Sequence, residues 1–133
     1  MGDGRSLDVV IIGAGESGLA AGHFAQRAGL RSVILESAAV AGAAWLGRYD
    51  SLVLYTPRRF SALPGRPMPG RPGGFPTRDE VAAYLADYAA AQQLNVAYGQ
   101  TVRRVAAAAA RGGSGGGSAA HRGFSVAATG GTW

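Results

Sequence analysis

The sequence contains neither cysteine nor lysine. Without cysteine, no disulfide, thiolate metal site or redox dithiol can form in this chain. All 13 positively charged residues are therefore arginines, and the net charge is +5 at pH 7. Because only Arg58 with Arg59 and Arg103 with Arg104 are adjacent, the arginines form no basic stripe or tail. We expect no nucleic-acid partner.

Long apolar runs are also missing. No stretch approaches the roughly 20 residues that a membrane-spanning helix needs, and the polar N-terminus "MGDGRSLD" lacks the apolar core of a signal peptide. We therefore expect no membrane partner and a cytoplasmic location. His23 and His121 are predicted to lie at the surface, in a helix and in a loop, so we expect no metal site and no catalytic histidine.

The chain begins with a pattern typical of a strand, a helix and a second strand. Leu7 to Ile12 is a β-branched run suited to a buried parallel strand. Glu16 to Arg27 predicts a helix, with Leu19, Phe24 and Ala28 spaced for one face, and Arg31 to Glu36 predicts the next strand. Together these segments predict a βαβ unit with parallel strands.

Residues 38–76 show no regular pattern, and all six prolines lie between Pro57 and Pro76. A disordered linker is one interpretation of this segment. We favour an ordered, irregular segment, because a solvated linker has little use for many large apolar groups. The residues that favour order are Trp45, Tyr49, Leu52, Leu54, Tyr55, Phe60 and Phe75.

Regular structure returns after the prolines. Thr77 and Glu80 have the spacing of a capping box at a helix start. Val81, Tyr84, Leu85 and Tyr88 then share one helical face. The stretches "NVAYG", "TVRRV" and "FSVAAT" predict short strands, and Gly130 with Gly131 predicts a hairpin turn after the last of them. Residues 111–123 predict a flexible Gly/Ser-rich loop.

The turn after the first strand matches the pattern G-x-G-x-x-G, formed by Gly13, Ala14, Gly15, Glu16, Ser17 and Gly18. In such a turn the first glycine allows the sharp bend, the second lets the backbone approach a pyrophosphate, and the third lets helix and strand pack closely. The helix N-terminus then offers free N–H groups to the phosphates. A glycine-rich turn without a ligand is the alternative, but the preceding strand and the following helix favour a dinucleotide site.

Glu36 ends the second predicted strand, 18 residues after Gly18. A carboxylate at this position can accept hydrogen bonds from both hydroxyls of an adenosine ribose, and it would repel a 2′-phosphate. The residues therefore predict FAD or NAD, and not NADP, at this site.

A series of motifs, in order, resembles the N-terminal part of flavin-containing monooxygenases, including bacterial members and the plant auxin-forming branch. They are "GAGESGLAAG", "ILE", "GAAWLGRYDSLVLYTPRRFSALPGRPMPG" and "FPTRDEVAAYLADYA". The resemblance extends from Leu7 to Val105. It implies an α/β, Rossmann-like FAD/NAD(P)-binding fold, a parallel sheet with a small β-meander, over residues 1–133.

The resemblance also implies which residues contact FAD. Glu36, followed by Ser37, would lie at the adenosine ribose, and Val102 would offer main-chain groups to the adenine. The backbone around Gly42, Ala44 and Trp45 would run beside the flavin end, and Tyr55 with Thr56 would lie near the isoalloxazine. The family pattern G-G-[ST]-W is replaced here by Gly42-Ala43-Ala44-Trp45, and some animal members have Asn in place of Tyr55, so that amide contact does not carry over.

Complete members of this family use NADPH together with FAD and carry a second fingerprint for it, which these residues do not contain. The strand that completes the FAD domain is expected directly after Trp133, so we expect a fold that is incomplete at its C-terminus. The sequence thus predicts the FAD-binding portion of a flavin-dependent, NAD(P)H-using monooxygenase-like oxidoreductase, inactive without its NADPH-binding partner region. A stand-alone dinucleotide-binding module without catalysis, and a non-functional gene fragment, are the alternatives.

Overall fold

The computed structural model describes residues 7–108 and 123–133. The predicted loop over residues 111–123 lies outside the described residues except for Gly123, and His121 lies outside them as well. The helices and strands are, in chain order, β1 (Val9–Ile12), α1 (Glu16–Arg27), β2 (Ser32–Leu35), α2 (Ala43–Leu46), α3 (Arg58–Ser61), α4 (Arg78–Ala91), β3 (Val96–Ala97), β4 (Val102–Ala107), β5 (Phe124–Ala128) and β6 (Gly131–Thr132).

The strands form two separate three-stranded sheets. The first is parallel, in the order β1-β2-β3, with Val9 opposite Ser32 and Ile12 opposite Leu35. The second is an antiparallel meander, β4-β5-β6, with an irregularity in register between Val102 and Arg104. The predicted α/β class, with a parallel sheet and a small meander, is confirmed.

Helix α1 has the predicted bounds, but the predicted surface position of His23 is wrong, and Phe24 does not share the buried face of Leu19. Leu19 is 0% exposed and His23 is 8% exposed, whereas Phe24 is 57% exposed. The reason is that α4 packs beside α1 and covers its His23 side: the His23 and Tyr88 rings lie 6.2 Å apart, and Nδ1 of His23 lies 3.2 Å from Oε1 of Gln92. Periodicity along α1 alone does not reveal this second contact face.

Helix α4 begins with the predicted capping box. The Thr77 hydroxyl accepts from the Glu80 backbone N–H, and the Glu80 carboxylate accepts from the Thr77 N–H at 2.8 Å. The predicted face of Val81, Tyr84, Leu85 and Tyr88 is buried. In the described ranges no helix is long and apolar enough to cross a membrane.

Residues 38–76 are irregular but packed, and α4 holds much of the segment in place. The Tyr84 hydroxyl donates to the Arg66 carbonyl and accepts from the Leu63 N–H, both at 2.7 Å, and the Tyr88 hydroxyl donates to the Pro64 carbonyl at 2.6 Å. Bonds of this kind satisfy backbone groups that no helix or sheet pairs. The segment therefore presents a defined surface beside the carboxyl ends of the parallel strands.

Candidate dinucleotide-binding site

The glycine-rich turn lies at the carboxyl ends of β1 and β2, where open α/β sheets bind ligands. The Gly13 N–H donates to the Leu35 carbonyl at 2.8 Å, and the Gly42 N–H donates to the Ala14 carbonyl at 2.9 Å. These two bonds join the turn, the end of β2 and the irregular segment. Gly13 has a φ of +93°, a conformation that strongly favours glycine.

The N-terminus of α1 is open in a way that the N-terminus of α4 is not. Gly15 is the N-cap residue and has no side chain to accept a hydrogen bond, so the N–H groups of Glu16, Ser17 and Gly18 have no partner within the helix. By contrast, Thr77 caps α4. Free N–H groups and the positive end of the helix dipole suit a phosphate group.

Gly15 and Gly18 differ in what surrounds them. A Cβ atom on Gly15 would meet nothing within 4 Å, which leaves room for a ligand against the backbone. A Cβ atom on Gly18 would lie 1.9 Å from the Gly13 carbonyl oxygen, which is impossible without movement of the backbone. Gly15 thus keeps space open, whereas Gly18 lets α1 pack against the end of β1.

The Glu36 carboxylate is held at the edge of the same turn. It accepts from the backbone N–H of Ala14 at 2.7 Å, from the N–H of Ala38 at 2.8 Å and from the Ser37 hydroxyl at 3.2 Å. Burial raises the pKa of Glu36, but these hydrogen bonds, from Ala38 first and then Ala14 and Ser37, outweigh it and hold the pKa below its usual value. The group is therefore an ionised, oriented acceptor at neutral pH.

Trp45 reaches the other side of the turn. Its indole Nε1–H donates to the Glu16 carboxylate at 3.1 Å, and the guanidinium of Arg48 lies 6.0 Å from its ring centre. The Arg78 guanidinium donates to the Arg48 carbonyl at 2.6 Å and to the Asp50 carboxylate at 2.7 Å, and so fixes the end of α2. Sequence reasoning placed Glu16 in the fingerprint but did not predict its bond to Trp45, and it missed Arg78, because no spacing rule links residues so far apart.

The remaining predicted residues are placed less directly. The Gln100 N–H donates to the Glu36 carbonyl at 2.8 Å, which brings the start of β4, and with it Val102, beside the end of β2. The Thr56 hydroxyl lies 2.8 Å from the hydroxyl of Ser61, and the Tyr55 side chain is 93% exposed. Ser37 and Ala44 are also exposed. Hydrogen bonds thus connect both Glu36 and Trp45 directly to the turn. Thr56 instead lies beside Ser61, and Tyr55 is exposed.

A cavity of about 380 Å³ lies at the opposite ends of the strands, lined among others by Leu7, Ser32 and Asn95. Leu7 and Asn95 precede β1 and β3, and Ser32 is the first residue of β2, so the cavity is remote from the turn and is not part of the candidate site. Within residues 7–108 and 123–133, no group of three or more His, Asp or Glu residues could hold a metal ion.

Comparisons with known proteins show what the chain resembles. The Thi4 family model matches residues 3–59, which include the turn and Glu36. An uncharacterized CzcO-like oxidoreductase of Geobacillus kaustophilus is 48% identical over 83 residues, 62% of this chain and 24% of the relative. Indole-3-pyruvate monooxygenase YUCCA1 of Oryza sativa subsp. japonica is 39% identical over 98 residues, 73% of this chain and 24% of the relative. The chain spans about a quarter of the length of these curated relatives.

A solved flavin-containing monooxygenase from Stenotrophomonas maltophilia superimposes on 97% of this chain and 36% of its own, with a TM-score of 0.81 and 41% identity. These comparisons confirm the predicted resemblance to the N-terminal part of flavin-containing monooxygenases and the predicted Rossmann-like fold class. They also bear out the prediction of a flavin cofactor for this family.

Proposed function

From this resemblance to the N-terminal part of flavin-containing monooxygenases, we propose that the chain binds FAD at the turn between β1 and α1. The observation that carries the proposal is the pairing of two features at one edge of the sheet. The N-terminus of α1 has free N–H groups for a pyrophosphate, and the Glu36 carboxylate, fixed by the Ala14 N–H, is an acceptor for ribose hydroxyls.

Each part of the site has a separate task in this proposal. The N–H groups of Glu16, Ser17 and Gly18 bind the pyrophosphate, and Glu36 binds the adenosine ribose and disfavours a 2′-phosphate. Residues at the start of β4, near Val102, flank the adenine. Gly42, Ala44, Trp45, Tyr55 and Thr56 form the surface against which the flavin end lies. FAD supplies the redox chemistry when bound, and the chain binds and orients it.

The complete protein, in this proposal, is a flavin-dependent, NAD(P)H-using monooxygenase-like oxidoreductase. The 133 residues hold one dinucleotide fingerprint, and the reaction needs two dinucleotides facing each other. A polypeptide of these residues alone is therefore expected to bind FAD without turning over NADPH. Incubation with FAD and NADPH in air should consume no more NADPH than free flavin does. Substantial turnover would show that the chain is a complete catalyst.

Calorimetry on the refolded chain tests cofactor choice, with FAD, NAD and NADP titrated in parallel. We expect FAD to bind most tightly. Glu36→Ala should weaken FAD binding by roughly 1.5–3 kcal/mol, because a charge-assisted hydrogen bond is lost. Asp87→Ala is the matched control, since that exposed carboxylate lies on α4 and pairs with Arg66. A preference for NADP, or equal losses in both variants, would contradict the assignment.

A further inference from the structure

The hydrogen bond between Glu16 and Trp45 joins the two sides of the candidate site. Glu16 is the first residue of α1, and Trp45 belongs to α2, 29 positions later. The Nε1–H of Trp45 donates to the Glu16 carboxylate at 3.1 Å. The acceptor is a group within the fingerprint itself, immediately beside the N–H groups proposed to bind the pyrophosphate.

The backbone of α2 is fixed without this bond. At its start, the Gly42 N–H donates to the Ala14 carbonyl at 2.9 Å, and a Cβ atom on Gly42 would lie 2.8 Å from Cβ of Leu85. At its end, Arg78 binds the Arg48 carbonyl at 2.6 Å. Both ends of α2 are thus held independently of the side-chain bond. The indole itself packs against the hydrophobic core on one side, and the bond from its Nε1–H to Glu16 fixes the direction of its polar edge.

We propose that Glu16 is a positioning residue that holds the Trp45 indole against the second half of the bound dinucleotide. The inference rests on the proposed function. A ligand with its ribose at Glu36 and its pyrophosphate at the α1 N-terminus extends past Glu16, toward the group that Glu16 touches. That group is the Trp45 indole, whose faces and edges suit an aromatic ring system. The site therefore selects a dinucleotide with an aromatic second half over the adenosine half alone.

The Glu16 carboxylate also weakens the binding of phosphate groups. Glu16 places a negative charge beside the position of two phosphates, and like charges repel at this range. That repulsion acts on FAD and more strongly on ADP, because the terminal phosphate of ADP carries an additional negative charge. The positioning effect acts on FAD alone, because ADP has no second half. A variant that removes the charge of Glu16 but keeps an acceptor for the indole therefore separates charge from positioning.

The experiment measures the dissociation constants of FAD and ADP for the 133-residue chain and its variants. Glu16→Gln keeps an oxygen acceptor for the indole and removes the charge, so both ligands should bind as tightly as before or more tightly, with ADP gaining at least as much as FAD. Trp45→Phe removes the bond and keeps the charge, and it should reduce the advantage of FAD over ADP by roughly threefold to tenfold relative to the wild type. Glu16→Ala removes both and should reduce that advantage by a similar factor relative to Glu16→Gln. Trp133→Phe, which removes an indole N–H elsewhere, should leave the ratio unchanged.

Two results overturn the inference while leaving the proposed function intact. One is a wild-type chain that binds FAD no more tightly than ADP through a working phosphate site. The other is an equal loss of FAD and ADP in Glu16→Ala and Trp45→Phe, which would indicate general damage to the turn. A wild-type chain that binds neither ligand would overturn the proposed function and this inference with it.

Discussion

Gly18 faces the carbonyl oxygen of Gly13 so closely that a Cβ atom at position 18 would lie 1.9 Å from it. At position 15, in the same turn, a Cβ atom would meet nothing within 4 Å, and the backbone there is extended, with φ of −81°. The two glycines serve different purposes, one in packing and one in keeping space for a ligand. Substitutions can separate these purposes.

Gly18→Ala should destabilise the fold, and Gly15→Val should leave it intact but abolish FAD binding. The added methyl at position 18 forces α1 away from β1, at a cost of about 1–3 kcal/mol or more. The branched side chain at position 15 fills the space proposed for the pyrophosphate. Thermal unfolding and FAD titration of both variants check the prediction. Unchanged FAD affinity in Gly15→Val would show that no pyrophosphate lies there.

The hydrogen bonds to Glu36 predict a pH dependence of stability. Because its folded-state pKa lies below the usual value of 4.5, the carboxylate stabilises the fold at pH values above that value. This contribution is lost as the pH falls through the folded-state pKa. The melting temperature of the wild type should therefore exceed that of Glu36→Gln at pH 7, and the gap should narrow below about pH 4.5. A gap that stays constant down to pH 3 would exclude this origin.

The local elements of this fold could be predicted, because their signals are local. The bounds of α1 follow from the glycines on either side, and the start of α4 follows from Thr77 and Glu80, three positions apart. The turn and the predicted carboxylate at Glu36 are likewise readable, since a βαβ unit brings the end of one strand beside the end of the next. The hydrogen bond from the Ala14 N–H to the Glu36 carboxylate shows that the two strand ends do lie side by side.

The contacts between distant elements could not be predicted. His23 is buried because Tyr88, on a helix that begins some 50 residues later, packs against it. Trp45 contacts Glu16 because the N–H of Gly42, in the irregular segment, donates to the Ala14 carbonyl and so holds the start of α2 beside the turn. Neither contact follows from a periodicity or a motif. In the candidate site, the sequence thus predicts the approach of Glu36 to the turn but not the contact between Glu16 and Trp45.

Trp133 offers a test of a buried polar group. In the described part of the chain, its Nε1–H is buried and has no hydrogen-bond partner, while its ring packs against the cluster of Val33, Leu35 and Val126. An unsatisfied buried donor costs roughly 1–3 kcal/mol. Trp133→Phe should therefore be neutral or stabilising, whereas Trp133→Ala should lose about 3 kcal/mol through lost packing. Denaturant unfolding of the two variants distinguishes these outcomes. If Trp133→Phe loses as much stability as Trp133→Ala, the indole N–H has a hydrogen-bond partner in the folded chain.

The parallel sheet predicts self-association of the 133-residue chain. Within residues 7–108 and 123–133, β1 pairs with β2 alone, so its second edge presents unpaired N–H and C=O groups. Ile12, at the end of this edge strand, is 56% exposed. We expect the isolated chain to self-associate at micromolar concentrations and to melt without a sharp two-state transition. Added FAD should stabilise the folded chain by RT ln(1 + [L]/Kd), where [L] is the FAD concentration. This stabilisation is small when the dissociation constant Kd is large.

A pair of variants identifies the edge as the cause of association. Ile12→Lys places a charge at the edge of β1, where charged residues discourage strand pairing. Phe124→Lys makes the same change at another exposed apolar residue, which is 71% exposed at the start of β5. Sedimentation velocity should show less association for Ile12→Lys and little change for Phe124→Lys. If both variants associate equally, the open edge of β1 does not drive association. If the wild type is a monomer with slow amide exchange throughout, no association occurs, because the backbone groups of that edge are then protected by other means.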